Sequence, residues 1–301
     1  MTAKFDRAAE NFGNITGMEH TNVTVPDQRL ATLFYIVGMG FTRDPYMVPG
    51  VINMWVNIGR NQIHLPVNPM PQVLRGHTGL VVPDLKAQEE SLKAVRDDLK
   101  GTKFDFNKSN NRIDVICPWG NEYRCYEPEA RFGPINLGIP YVEFTVPTGT
   151  AEGIVRFYQE IFAAPAHLDK SNGAPAAHAC VGYHQEMIFR ETDAPLADFD
   201  GHHLQIYLAD FSGPHERLLK HGIVSEESNQ FQYRFVDIID PSNGDKLFEI
   251  EHEVRSMSHP LYGRPFINRN PVQNNRNYRP GHDDRSWVPG HNDPNFQLGG
   301  K

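Results

Sequence analysis

Three histidines occupy the same position in a repeated stretch of eight residues. His20 begins HTNVTVPD, His77 begins HTGLVVPD and His203 begins HLQIYLAD, while a related stretch, YVEFTVPT, begins with Tyr141. Imidazole is a common metal ligand and can also move protons near neutral pH. One such histidine alone is better explained as a hydrogen-bonded structural residue. Its recurrence at one position of a repeat makes the three rings candidates for a shared function, as metal ligands or as groups that move protons.

The repeated stretches have the alternation of a β-strand with one buried face. Positions two, four and six of each copy are apolar or threonine: Thr21, Val23, Val25; Thr78, Leu80, Val82; Val142, Phe144, Val146; Leu204, Ile206, Leu208. Because successive side chains of a strand point to opposite sides, the histidines lie on the other face. Polar residues such as Asn22, Gln205 and Tyr207 share that face, so we expect it to line a cavity.

A helical stretch and then short strands follow each repeated strand. The helical stretches are QRLATLFYIVGMG, LKAQEESLKAVRDDLKG, TAEGIVRFYQEIFAA and GPHERLLKHG, and INMWVNIG and QIHLPV are examples of the short strands. The repeated strands begin at 20, 77, 141 and 203. The sequence therefore predicts an α+β protein with four βαβββ modules, which fill residues 17 to 254.

The predicted domain division has three parts. Modules one and two cover residues 17–132, modules three and four cover 138–254, and 255–301 form a C-terminal arm. The last part is rich in Asn, Pro, Gly and Arg and has no apolar period. The segment is either an extended arm that lies on the body or on a partner subunit, or a partly disordered tail, and Tyr262, Phe266 and Trp287 favour an arm that docks.

Composition limits the classes of function. The formal charge of −8 argues against a nucleic-acid surface. No apolar run approaches the roughly 20 residues of a membrane span, so we expect a cytoplasmic protein with no membrane partner. The three cysteines have no CxxC spacing, which argues against a thiolate zinc site. The expected partners are a small-molecule substrate and further copies of the chain in a homo-oligomer.

Four βαβββ modules that open with this motif resemble the vicinal oxygen chelate superfamily. That superfamily includes glyoxalase I, bleomycin-resistance proteins and extradiol ring-cleaving dioxygenases. The resemblance covers residues 17 to 254 and implies that modules pair into two curved half-barrels of mixed sheet. It also implies that the first and last strands of modules supply metal ligands to the cavities.

The resemblance implies a metal site made of His20, His203 and Glu249. The second module ends CPWGNEYRCYEP, which places Arg124 where a ligand carboxylate would stand, and arginine cannot ligate a metal. The fourth module ends DPSNGDKLFEIE and offers Glu249, with Glu251 on the same face as a substitute. If module one pairs with module four, as in hydroquinone ring-cleaving dioxygenases, a 2-His-1-carboxylate site results. Modules two and three then form a metal-free half.

A second ligand set stays open. If modules one and two pair, His20 and His77 would converge with His64 or Glu122, and three histidines would suit zinc. This set leaves Glu249 with no metal partner beyond His203, so it ranks lower. In the favoured pairing, His77 is a structural or substrate-contacting residue and Arg124 is an ion-pair partner.

Three functions fit the predicted site. The first is a mononuclear oxygenase that holds Fe(II), or else Mn, Zn, Ni or Co, and acts on a small aromatic diol. The second is a glyoxalase-like metal-dependent lyase or isomerase, and the third is a non-catalytic protein that binds a small molecule. Tyr207, His77 and Tyr141 face the cavities, and the sequence assigns the acid-base role to none of them. The stretch FQYRFVDIIDP lacks the histidine that precedes the DP turn in extradiol enzymes, which argues against an ordinary catechol as substrate.

Overall fold

The computed structural model describes residues 5–47, 50, 52–171 and 173–268. Within them, sixteen strands and four α-helices follow one another as βαβββ, four times. The elements are β1 (Ile15–Asn22), α1 (Gln28–Ala31), β2 (Thr42–Arg43), β3 (Asn53–Ile58), β4 (Asn61–Pro66); β5 (Gly76–Val81), α2 (Leu85–Ala94), β6 (Asp105–Lys108), β7 (Ile113–Ile116), β8 (Glu122–Tyr126); β9 (Gly138–Pro147), α3 (Ala151–Phe162), β10 (Ala166–Asp169), β11 (Ala176–Gly182), β12 (Gln185–Thr192); β13 (His203–Leu208), α4 (Ser212–Lys220), β14 (Val224–Asn229), β15 (Gln232–Ile239) and β16 (Lys246–Ser256).

The strands form two mixed eight-stranded sheets. The order in the first is β14-β15-β16-β13-β1-β4-β3-β2, and the order in the second is β10-β11-β12-β9-β5-β8-β7-β6. The first sheet thus contains the strands of modules one and four, and the second contains those of modules two and three. The predicted α+β fold class, built from four βαβββ modules, is confirmed.

Backbone contacts divide the chain into two compact units. The first unit contains residues up to Val23, Gln72–Thr78 and Pro140–Arg264, and the second contains Thr24–Pro71, Gly79–Ile139 and the chain from Pro265 onward. The domain boundaries expected from the sequence stay a prediction.

The aspartate that ends two of the repeated stretches caps a helix. Asp27 accepts hydrogen bonds from the backbone N–H groups of Arg29 and Leu30, and Asp84 accepts one from Ala87. An aspartate at the N-cap satisfies N–H groups that have no partner within the helix. The first residue of the stretch and its last residue therefore have separate roles, one on the face of the sheet and one at the start of the helix.

The helices of the first two modules differ from the simple α-helices expected. Helix α1 continues as a π-helix over Thr32–Gly38, in which the Met39 N–H bonds to the Phe34 carbonyl five residues back. Helix α2 ends at Ala94, where the C-cap residue Val95 has φ −98° and ψ 0°, and the following residues form turns. Apolar residues of both segments, such as Phe34 and Leu92, are buried in the core of the second unit.

Aromatic side chains form the core of the first unit. Phe144 and Phe189 stack with ring centroids 5.3 Å apart, and Phe157 lies 5.8 Å from Phe235. These residues come from β9, β12, α3 and β15, so α3 packs with the buried faces of strands in both sheets. The apolar positions of β13, predicted to face inward, are buried here as well.

The described part of the C-terminal segment lies on the body. The ring of Tyr262 contacts that of Tyr207 with centroids 4.9 Å apart, and Phe266 is buried. Asn268 bonds to both the N–H and the carbonyl of Gly59. Trp287, which the sequence also assigned to the docking arm, lies outside the described residues. No helix in the described part of the chain is long and apolar enough to cross a membrane.

Candidate metal centre

A β-bulge in β1 aims two polar side chains to the same side. Strand β1 pairs antiparallel with β13, Met18 opposite Ile206 and His20 opposite Gln205, which leaves Glu19 as the additional residue. A bulge of this kind interrupts the alternation of side chains. The Glu19 carboxylate accepts a hydrogen bond from the Tyr207 hydroxyl at 3.0 Å, and its other oxygen lies 3.7 Å from His20 Nδ1.

Strand β16 places three charged residues beside β13. The strands are parallel, with His203 opposite Glu251, Gln205 opposite Glu253 and Tyr207 opposite Arg255. His203 Nδ1 lies 3.4 Å from Glu251 Oε2, and His203 Nε2 lies 3.6 Å from Glu253 Oε2. We call this side of β1, β13, β15 and β16 the histidine face. Its members are Glu19, His20, His203, Gln205, Tyr207, Gln232, Arg234, Glu251, Glu253 and Arg255.

Two histidines of the first unit could hold a metal ion. The ring centroids of His20 and His203 are 6.1 Å apart, and a nitrogen of one ring lies within 4.8 Å of a nitrogen of the other. Metal–nitrogen bonds of about 2.1 Å would bring opposed nitrogens to about 4.2 Å. A small contraction would therefore let the two rings share one ion with a neighbouring carboxylate such as Glu251, so these donors fit the metal implied by the resemblance. In the second unit, His64 stacks on Trp55 and its Nε2 lies 2.8 Å from the Asn53 side-chain oxygen.

Two arginines neutralise the carboxylates of the histidine face. Arg234 lies 3.0 Å from Glu251 Oε1 and 2.5 Å from Glu253 Oε2, and Arg255 lies 2.5 Å from Glu253 Oε1. Arg255 also lies 3.6 Å from Glu19. Because one oxygen of Glu251 binds Arg234, its other oxygen is oriented toward His203. A carboxylate held in this way is a suitable metal ligand.

Burial sets the protonation of the central groups. It lowers the pKa of His20 well below the usual 6.5, and the charges of Arg255 and Arg234 lower it further. His20 is therefore neutral, which is the form that binds a metal. Burial also raises the pKa values of Glu19 and Glu253, although the neighbouring arginines oppose both shifts. Burial and the Glu19 charge raise the pKa of the Tyr207 hydroxyl.

The structure brings two of the three predicted ligands together. His20 and His203 meet on the histidine face, whereas Glu249 is two residues before Glu251 on β16, opposite Asp237. The Glu249 carboxylate forms an ion pair with Lys246, and its backbone carbonyl accepts a hydrogen bond from Arg75. The substitute residue, Glu251, is the one in register with His203. The assignment of Glu249 as a ligand stays a prediction.

The residues of the expected metal-free half have partners of their own. His77 Nε2 lies 3.3 Å from the Tyr141 hydroxyl, and Arg124 lies 3.8 Å from Asp114. The lower-ranked ligand set that contains His77 stays a prediction. Glu122, the other residue of the lower-ranked set, is exposed on β8.

Sequence reasoning missed the charged partners around the histidines. Strict alternation places Glu19 on the face opposite to His20. The sequence therefore does not reveal that the bulge brings the Glu19 carboxylate next to His20. Arg234 and Arg255 do alternate with core residues in QYRFVDII and EIEHEVRS, and this pattern could have placed them on the polar face.

Solved structures support the fold. A Bacillus subtilis protein assigned as a dioxygenase matches 85% of this chain and 92% of its own, with a TM-score of 0.56 and 13% identity. Glyoxalase I from Zea mays matches 80% of this chain and 92% of its own, with a TM-score of 0.54 and 14% identity. The chain has the vicinal oxygen chelate fold. No protein-family model and no curated protein sequence matches it, and at these identities the likeness concerns the fold alone.

Proposed function

We propose that this vicinal oxygen chelate protein is a mononuclear metal-dependent oxygenase that acts on a small aromatic diol. The observation that carries the proposal is the convergence of His20 and His203, with Glu251 beside His203. His20, His203 and one carboxylate of β16 would form the 2-His-1-carboxylate set that suits Fe(II). Glu251 takes the carboxylate position in place of Glu249.

The residues around this set would bind and orient the reactants. The ion would supply Lewis acidity, which lowers the pKa of substrate hydroxyls, and open positions for substrate and oxygen. Arg234 holds Glu251 in place. Glu19 and Tyr207, which share a hydrogen bond, can hold or pass a proton at the Glu19 carboxylate. Burial of His20, Gln205 and Glu253 keeps water away from the centre.

A metal-dependent isomerase or lyase is the second candidate. Glu19 favours it, because a buried carboxylate with a raised pKa is suited to moving a proton next to a carbonyl. The fold shared with glyoxalase I from Zea mays is compatible with this function. Iron content with oxygen uptake favours the oxygenase. Another divalent metal without oxygen uptake favours the isomerase or lyase.

The test is elemental analysis of protein purified without oxygen, followed by oxygen uptake with catechol and with hydroquinone. We expect iron near one ion per chain in the wild type and in His77→Ala, and loss of iron in His20→Ala and His203→Ala. Glu251→Ala is expected to lose more iron than Glu249→Ala, and the reverse would restore Glu249 as the ligand. Wild-type protein without any metal would contradict the proposal and leave a binding protein as the better account.

A further inference from the structure

Gln205 is a buried amide without a partner in the described part of the chain. Its side chain is fully buried, and neither its Oε1 nor its Nε2 has a hydrogen bond among the described residues. Burying an amide in this state is costly, because its hydrogen bonds to water are lost and not replaced. The other buried glutamines have hydrogen-bond partners: Gln62, Gln88, Gln185 and Gln232.

Gln205 stands at the centre of the histidine face. It pairs with His20 of β1 on one side and with Glu253 of β16 on the other, and it is two residues from His203 on the same strand. Arg234 and Arg255 form ion pairs with Glu253. The ion pairs of the face therefore do not use the Gln205 amide, although they surround it.

We propose that Gln205 is a substrate-binding residue, which recognises an uncharged hydroxyl or carbonyl group of the substrate next to the metal ligands. This inference rests on the proposed function of the histidine face. An amide both donates and accepts hydrogen bonds, and a hydroxyl group does the same, so the two are complementary. A site whose buried polar group is satisfied only by the correct ligand discriminates strongly against analogues that lack the matching group.

The experiment compares Gln205→Met with Gln232→Met. Methionine has nearly the size of glutamine and no amide. Gln232 is a matched control, because it is buried on the same face but accepts a hydrogen bond from Arg255 at 3.0 Å. We would measure the metal content, the melting temperature of the metal-loaded protein without ligand, and the binding of 4-nitrocatechol to the iron-loaded protein without oxygen. This aromatic diol changes colour when it ligates a metal.

We expect Gln205→Met to keep its metal and to keep or raise its melting temperature. It should bind 4-nitrocatechol about tenfold more weakly, because one hydrogen bond to the probe is lost. Gln232→Met is expected to melt at a lower temperature. Unchanged probe binding, or a melting temperature lowered as far as in Gln232→Met, overturns the role of Gln205.

If the wild type holds metal but does not bind the probe, the aromatic-diol proposal fails and the melting temperatures decide the inference. An unchanged or raised value for Gln205→Met then supports a ligand-facing amide, and a lowered value overturns it. The failure of the proposed function is thereby distinguished from the failure of the inference.

Discussion

Two buried histidines illustrate how the surroundings of a single ring decide its role. His252 lies in the core, where its Nδ1 donates to the Ile250 carbonyl at 2.9 Å and its Nε2 accepts from the Tyr158 hydroxyl at 2.7 Å. Both nitrogens are engaged, so this ring cannot bind a metal. His20 is equally buried, but its ring centroid lies 6.1 Å from that of His203 and its Nδ1 lies 3.7 Å from Glu19. Burial alone does not distinguish a ligand from a structural residue.

His252 should make the stability of the protein sensitive to mild acid. Burial lowers its pKa to about 4, below the unfolded value near 6.5, so the unfolded state binds the extra proton first. The contribution of neutral His252 to the free energy of unfolding is therefore fully present above pH 6.5. It falls by about 3 kcal/mol as the pH falls toward 4. We expect His252→Gln to have a flatter dependence of unfolding free energy on pH, measured by urea denaturation between pH 4.5 and 7.5. Parallel curves for the variant and the wild type would contradict this explanation.

At the scale of elements, the bulge in β1 depends on a side chain from a hairpin in module three. Gln185 begins β12, and its amide bonds to both the N–H and the carbonyl of Met18, at 3.1 and 3.0 Å. These backbone groups lie next to the bulge that contains Glu19. A Cβ on Gly182 would come within 2.8 Å of the Gly17 Cα and 2.6 Å of the Gln185 side chain. Glycine at 182 therefore permits this close approach.

We expect Gln185→Leu to lower both stability and metal affinity. It leaves two buried backbone groups of Met18 without this partner, at a cost of roughly 1 to 3 kcal/mol, and it loosens the segment that aims His20. Urea unfolding and metal titration would measure the two effects. Gln159→Leu is the control, because the Gln159 amide makes an exposed bond to the Ala166 carbonyl, and it should change neither property appreciably. Normal metal affinity in Gln185→Leu would show that the bulge orients His20 without the hydrogen bonds from Gln185.

The sequence predicted elements better than their registers, for a physical reason. The alternation in β13 and the repeat of the octapeptide depend on local burial, so they identified the modules and the faces of His20 and His203. The choice between Glu249 and Glu251 depends on how β16 is aligned with β13, and that alignment is set by turns and neighbours distant in the sequence. The bulge at Glu19 is not visible in the alternation for the same reason.

At the scale of the whole molecule, the two ends of the repeated motif have different roles, and the modules retain these roles to different extents. The final aspartate of the motif, Asp27 in module one and Asp84 in module two, caps a helix. Any module that begins its helix with this turn needs such a cap. The first histidine is needed only where its face binds something. His20 and His203 therefore lie beside acidic residues and arginines, whereas His77 contacts the Tyr141 hydroxyl. The repeat identifies modules, and the partners of each histidine identify the site.

Metal binding should be linked to the stability of the folded chain. A ligand that binds only the folded state adds about 2.7 kcal/mol at a concentration one hundred times its dissociation constant. We expect a chelator to lower the melting temperature by several degrees and added Fe(II) to restore it without oxygen. His20→Ala should lose this metal-dependent shift, because its ring and that of His203 converge. His77→Ala should retain the shift even if its own melting temperature falls, since its ring contacts Tyr141 instead. If the metal-dependent shift in melting temperature disappears in His77→Ala and persists in His20→Ala, the metal binds at the second sheet instead.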